Sequence, residues 1–309
     1  MKPLRTFVKS IVAVGLSLSV AISSGAVYYE DVINDNLCEI SVDNSGIQEV
    51  IGDYLEMYPN DRSTIETVVE EIVANNAFLE LYNLDSDRAI ETLCYNLDFV
   101  LSPPTVQTYG MVNGRYFADY TVPVVTQSTT SNCGIASIIQ ALIGDGIWEN
   151  TFNNRTIMQT VVENQANQIE RYGSTYSGMA YQVADTVNYY ANDEYYIYYA
   201  TSLTENIMLQ CIKYSLQNGY CPIVHIDDTS YFEYYDNRSY QHWVTVSAVN
   251  DLTHTVTVVD PFNDNLILNQ DYNIGGTHTI SFDEFLGGLG TVNGYVVALG
   301  GGSSYDPYE

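Results

Sequence analysis

Basic residues are scarce: the 309-residue chain carries 10 Lys and Arg against 38 Asp and Glu, a formal charge of −28. Lys2, Arg5 and Lys9 are three of the ten, so from Val27 onward 7 basic residues face 38 acidic ones, a formal charge of −31. A surface so poor in cations repels phosphate backbones and anionic headgroups, which argues against nucleic acid and acidic membranes as partners. The acidic excess is spread along the chain and is read first as a solubility device. Histidine is scarcer still, with only His225, His242, His254 and His278. No cluster at metal-ligand spacing accompanies them, so neither a metal nor a cofactor is implied. Fixed-period repeats are absent. No apolar run approaches the ~20 residues that span a bilayer.

The apolar run that does occur, Ile11 to Ile22, follows Lys2, Arg5 and Lys9 and precedes the small residues Ser24-Gly25-Ala26. This is the layout of a cleavable export signal over residues 1–26. It predicts a mature chain beginning at Val27, released outside the cell or on its outer or periplasmic side, with no stable membrane span.

Apolar residues at Ile47, Val50, Ile51, Tyr54 and Leu55, at Ile65, Val68, Val69, Ile72 and Val73, and at Ile90, Leu93, Cys94 and Leu97 recur at helical spacing. They predict three amphipathic helices in a region spanning 27–104. Pro59-Asn60-Asp61 separates the first two, Ser63 with Glu66 suggests a capping box, and Pro103-Pro104 closes the region. Beyond it, short β-branched and tyrosine-rich runs alternate with turn residues, predicting an α+β domain over 105–299 and a flexible tail over 300–309.

Five cysteines in an exported chain leave one unpaired, and Cys133 is the natural one. Cys94 lies on a helical stripe and reads equally as a core residue or as a bridge to Cys38, while Cys211 and Cys221 are near enough in sequence for a pairing that spacing cannot decide. Cys133 follows the polar run Ser128–Asn132 and opens a helical pattern through Ile135, Ile138, Ile139 and Leu142, with Gly144 near its stop. A sulfur in a first helical turn meets free backbone N–H groups and the positive dipole end, which favour the thiolate.

A thiol nucleophile needs a base. In "QHWVTVSAVNDLTHTVTVVDP", His242, Val244, Val246 and Ala248 share one strand face, and Val256, Val258 and Asp260 share another. A hairpin centred on residue 251 sets His242 opposite Asp260, a carboxylate able to orient the imidazole. His225 in "CPIVHIDD" reads as a buried strand residue with no such acid, and His254 and His278 read as turn or surface histidines.

Gln127 six residues before Cys133, the runs "NCGIAS", "QHWVTVSAV" and "VVDP", and the closing "ISFDEF" together resemble the papain-like cysteine peptidases. Within them the pattern is similar to the family of double-glycine leader peptidases of bacteriocin exporters and its secreted relatives. The resemblance covers only the second domain, and Ile135 stands where that family commonly has proline. It implies a nucleophile helix packed on an antiparallel sheet. It assigns Cys133 as nucleophile, His242 as base and then acid, Asp260 as orienter, and Gln127 as oxyanion donor beside the Cys133 N–H. The expected reaction is peptide hydrolysis through a thioester, with a peptide or protein as partner. A cell-wall peptide hydrolase, a transglutaminase-type transferase and a catalytically silent binding protein are the alternatives.

Twenty-eight tyrosines stand out, and "SYFEYYDNRSYQHW" runs directly into the His242 strand. Tyr231, Tyr234, Tyr235, Tyr240 and Trp243 are therefore substrate-binding candidates, set against simple compositional bias. The N-terminal helices read either as a propeptide over the cleft or as a permanent module. The second is preferred, because no extended segment suits a crossing of Cys133.

Overall fold

Apolar stripes at three- and four-residue spacing fold the first part of the chain into helices, seen in a computed structural model that describes residues 45–102, 114–168, 178–191, 195–199, 205–269, 273–290 and 294–299. The export signal, Cys38, Pro103-Pro104 and the tail lie outside the described residues. Helices α1 (Ser45–Met57), α2 (Arg62–Val73) and α4 (Ser86–Leu101) bury the expected stripes, including Ile47, Ile65 and Leu93. A fourth helix, α3 (Asn76–Leu84), buries Ala77, Phe78, Leu81 and Tyr82. Caps separate it from its neighbours: the Asn75 side chain accepts from Ala77 N–H at 2.9 Å, and Asp85 accepts from Arg88 N–H at 3.2 Å. The capping box expected at Ser63 and Glu66 does not form. α2 starts at Arg62, which places Ser63 inside the first turn and lets Glu66 pair with Arg62 instead.

The second part is α+β, with one antiparallel sheet. Its strands are β1 (Arg115–Phe117), β2 (Tyr195–Tyr199), β3 (Ile223–Ile226), β4 (His242–Asn250), β5 (Thr255–Asp260), β6 (Gly276–Ser281) and β7 (Tyr295–Leu299), in the order β2-β7-β3-β4-β5-β6, with β1 on the far end of β4. Helix α5 (Cys133–Gly144) is buried from Gly134 to Gly144 and lies against β4, where Thr245 Oγ1 donates to Ser137 O at 3.1 Å. With its amide oriented to suit its surroundings, the buried Gln140 donates to Val259 O and Thr245 Oγ1 and accepts from Val125 N–H. Gly144 has no room for a side chain: a Cβ there would lie 2.5 Å from Cys221 Sγ and 2.7 Å from Val122 Cγ2. Helices α6 (Phe152–Thr156), α7 (Met158–Gln168) and α8 (Ala180–Ala191) pack around α5, while α9 (Glu205–Gln217) joins the opposite layer. In that layer Val244, Val246, Val256 and Val258 meet Ile212, Phe232, Tyr235 and Phe262. Two short helices, α10 (Asp264–Ile267) and α11 (Phe282–Leu289), follow, and the capping box that does form is Ser281–Glu284 at the start of α11.

The described helices and the sheet belong to one compact unit. Edge strand β2 is sealed by two asparagines. Asn96 of α4 donates to Ile197 O at 2.8 Å and accepts from Tyr199 N–H at 2.9 Å, and Asn188 of α8 spans Tyr195 in the same way. Phe78, Tyr95 and Phe99 pack on Tyr199, Tyr196 and Tyr198, and Arg88 pairs with Asp185 of α8. Edge groups that would otherwise recruit a foreign strand are satisfied by α4 at Ile197 and Tyr199 and by α8 at Tyr195. Cys94, Cys211 and Cys221 are each buried as free thiols, so the Cys211–Cys221 pairing does not occur. Among the described residues no helix is long and apolar enough to cross a membrane.

Candidate active site

Cys133 is the first residue of α5 and is partly exposed, unlike the other described cysteines. Ser128–Ser131 are exposed, as a presenting loop requires, but Asn132 is buried and acts as a brace. Its Oδ1 accepts from Thr129 N–H at 3.0 Å and its Nδ2 donates to Ser128 Oγ at 2.9 Å. Gln159 of α7 holds the same loop, accepting from Ser128 N–H at 2.9 Å and donating to Thr126 O at 2.9 Å. Sequence reasoning missed both, since isolated amides in polar runs carry no periodic signal.

His242 and Asp260 meet, but not in the register expected. A bulge between Val246 and Ala248 shifts the hairpin: Thr245 pairs with Val259, whereas beyond the bulge Val249 pairs with Val256. Continued past Thr245, the ladder sets Asp260 opposite Val244, so His242 is its diagonal neighbour on the same face. An offset of two residues preserves the face, and His242 Nε2 lies 2.9 Å from Asp260 Oδ1. The bulge also takes Ala248 off the face it was expected to share, and Val249 enters the core in its place.

With Nε2 committed to Asp260, Nδ1 is left for sulfur, and the His242 and Cys133 side chains lie close enough for each to act on the other's charge. The backbone at Trp243 and Gly134 also favours charge on that sulfur. Burial opposes charge on both groups, but the interaction with His242 outweighs it and lowers the Cys133 pKa. Burial likewise opposes protonation of His242, and the charges of Asp260 and Cys133 overcome it, raising the histidine's pKa. Both shifts favour the thiolate–imidazolium form of the pair, the form that attacks electrophilic carbon.

Asp260 is fully buried and satisfied on both oxygens. Oδ1 also accepts from Phe262 N–H at 2.8 Å, and Oδ2 accepts from the Tyr235 hydroxyl at 2.9 Å and the Tyr234 hydroxyl at 3.1 Å. Gln127 is buried, its Nε2 donating to Thr129 O at 2.7 Å and its Oε1 without a partner. Its backbone is tied to the segment after Asp260, the N–H donating to Pro261 O at 2.8 Å and the carbonyl accepting from Asn263 Nδ2 at 2.9 Å.

The substrate-binding expectation fares unevenly. Tyr235 is fully buried and turned to Asp260, so it offers a substrate no surface. Tyr234 is half-buried and points the same way. Trp243 is buried, with Nε1 donating to Gly178 O at 2.9 Å and its ring against His225 and Tyr295. Tyr240 is half-buried against Phe262, and Tyr231 is exposed above Gly287 of α11. His225 stacks on Tyr295 at 4.5 Å, far into a buried strand. His254 sits in the hairpin turn with φ 53°. His278 is not a simple surface histidine: its ring lies flat on Tyr234 at 3.7 Å and its Nε2 bonds Ile274 O. Among the described residues no group of three or more His, Cys, Asp and Glu could hold a metal ion. Set against known proteins, the chain matches no family model and no curated protein.

Proposed function

We propose that this chain is an exported, papain-like cysteine peptidase that hydrolyses peptide bonds in peptides or proteins. One observation carries the reading: a partly exposed cysteine at a helix N-terminus stands beside a buried histidine, one nitrogen of which is held by a buried carboxylate. A buried structural cysteine needs neither partner.

In this reading the Cys133 thiolate attacks the substrate carbonyl carbon, and the carbonyl π pair moves to oxygen. The Cys133 N–H and the second Nε2 hydrogen of Gln127 receive that oxyanion, a contribution of about 3 kcal/mol for one such donor. Collapse breaks the C–N bond as His242 gives its proton to the leaving amine, leaving a thioester. Water then loses a proton to His242 and attacks the thioester, releasing the acid and restoring the thiolate–imidazolium pair. Asp260 keeps Nδ1 aimed at sulfur throughout by holding Nε2.

Digestion of a peptide library by the secreted protein, with Cys133→Ala as control, tests the proposal. Cys133-dependent cleavage products are expected. Cys133-dependent cross-linked products in their place would indicate acyl transfer to amines. Peptide binding without products, together with ordinary thiol reactivity at Cys133, would sink the enzyme reading in favour of a silent binding protein.

A further inference from the structure

A carboxylate with no exposed surface needs donors, because burying an unsatisfied charge costs several kcal/mol. His242 supplies one N–H and Phe262 another, both to Oδ1. The terminal torsion of a carboxylate is soft enough to need fixing at both oxygens, and Oδ2 is then left to find donors of its own. Two consecutive tyrosines stand at that oxygen.

We propose that Tyr234 and Tyr235 are positioning residues of the triad, their hydroxyls clamping Asp260 Oδ2 so that Oδ1 stays in line with His242. This rests on the peptidase reading of the same site.

The clamp is built rather than incidental. Both residues lie in the 3-10 turn Glu233–Tyr235, in which adjacent side chains ordinarily point about 120° apart. Yet their hydroxyls converge on one oxygen atom. The turn ends in two left-handed residues, Asp236 at φ 52° and Asn237 at φ 61°, a conformation that costs energy outside glycine and favours Asp and Asn when it occurs. Each ring is fixed from the side: Tyr235 by Phe262 and His242, Tyr234 by Phe232 and by His278 stacked at 3.7 Å. Burial and the Asp260 charge raise both phenol pKa values well above the usual range, so the hydroxyls remain donors across working pH. The other titratable groups facing the clamp are Cys133 and His242 beside Tyr235, and His278 and Glu284 beside Tyr234.

The test is the pH profile of Cys133 alkylation by iodoacetamide, followed by peptide mapping, in the wild type and in Tyr234→Phe, Tyr235→Phe and the double variant. Phenylalanine keeps the rings and removes only the donors. With the clamp gone the imidazolium loses support, and the thiolate loses it in turn. The double variant should alkylate about tenfold more slowly at pH 6, an acid limb moved up by about one pH unit, with the limiting rate at high pH retained. Should the double variant not fold, each single variant carries the test with about half that displacement. A folded variant with an unmoved limb would overturn the clamp while leaving the triad standing. A wild type without low-pH reactivity at Cys133 would overturn the triad, and the clamp with it.

Discussion

Replacing Asn96 by leucine removes the amide that joins the N-terminal helices to the sheet while keeping the volume nearly constant. In the native chain this side chain, 4 % exposed, donates to Ile197 O and Thr92 O and accepts from Tyr199 N–H. Leucine leaves the Ile197 carbonyl and the Tyr199 N–H buried without that partner, and each such group costs about 1–3 kcal/mol. The loss totals about 4 kcal/mol, against the roughly 5–15 kcal/mol that holds an ordinary domain together. Read by urea unfolding, with a slope of about 3 kcal/mol/M, the midpoint should fall by about 1 M. Circular dichroism and tyrosine fluorescence should move together, because helices and sheet form one compact unit. A midpoint shift below about 0.3 M, or separate transitions for the two signals, would refute the argument that the helices are an integral part of the fold, and would favour a removable propeptide.

Three further outcomes follow from the same geometry. Asp260→Asn keeps an acceptor for His242 Nε2 but removes the charge that raises the histidine's pKa, so the acid limb of Cys133 alkylation should move up by about one to two pH units. The sign is fixed by linkage: weaker support for the imidazolium raises the thiol pKa, and reactivity is lost first as pH falls. Gly144→Ala forces a methyl within 2.5 Å of Cys221 Sγ and should lower stability by about 1–3 kcal/mol in thermal unfolding, a cost that Cys221→Ala in the same chain should partly relieve. Intact-mass measurement after denaturation without reductant should find Cys94, Cys211 and Cys221 alkylatable as free thiols, and any bridge among them would contradict their separate burial.

Residues whose role depends on periodicity were legible in the sequence. The stripes of α1, α2 and α4, the start of α5 at Cys133 and the alternation that sets His242 and Asp260 on one side all follow from spacings of 3.6 and 2. The hairpin pairing was not legible, because a bulge at Ser247 leaves no mark in a run of alternating β residues. Its effect on the site is small only because the resulting offset is even and keeps the side chains on their face. Helix α3 escaped notice because nine residues hold too few turns to display a period, and its limits are set by the caps Asn75 and Asp85. Tyrosines near a cleft suggest contact with substrate, whereas in the fold Tyr234 and Tyr235 face inward to a carboxylate. Asn96, Asn132, Asn188 and Gln159 share that difficulty, since an amide acquires its meaning from backbone brought close by the fold.

The stitching of Gln127 to Pro261 and Asn263 has a mechanical corollary. The segment that leads to Cys133 and the segment that leaves Asp260 share two fasteners, one on each side of a single residue, Gln127. A substitution that displaces either strand of this seam strains the other, so Cys133 and Asp260 depend on the same two bonds for their relative placement.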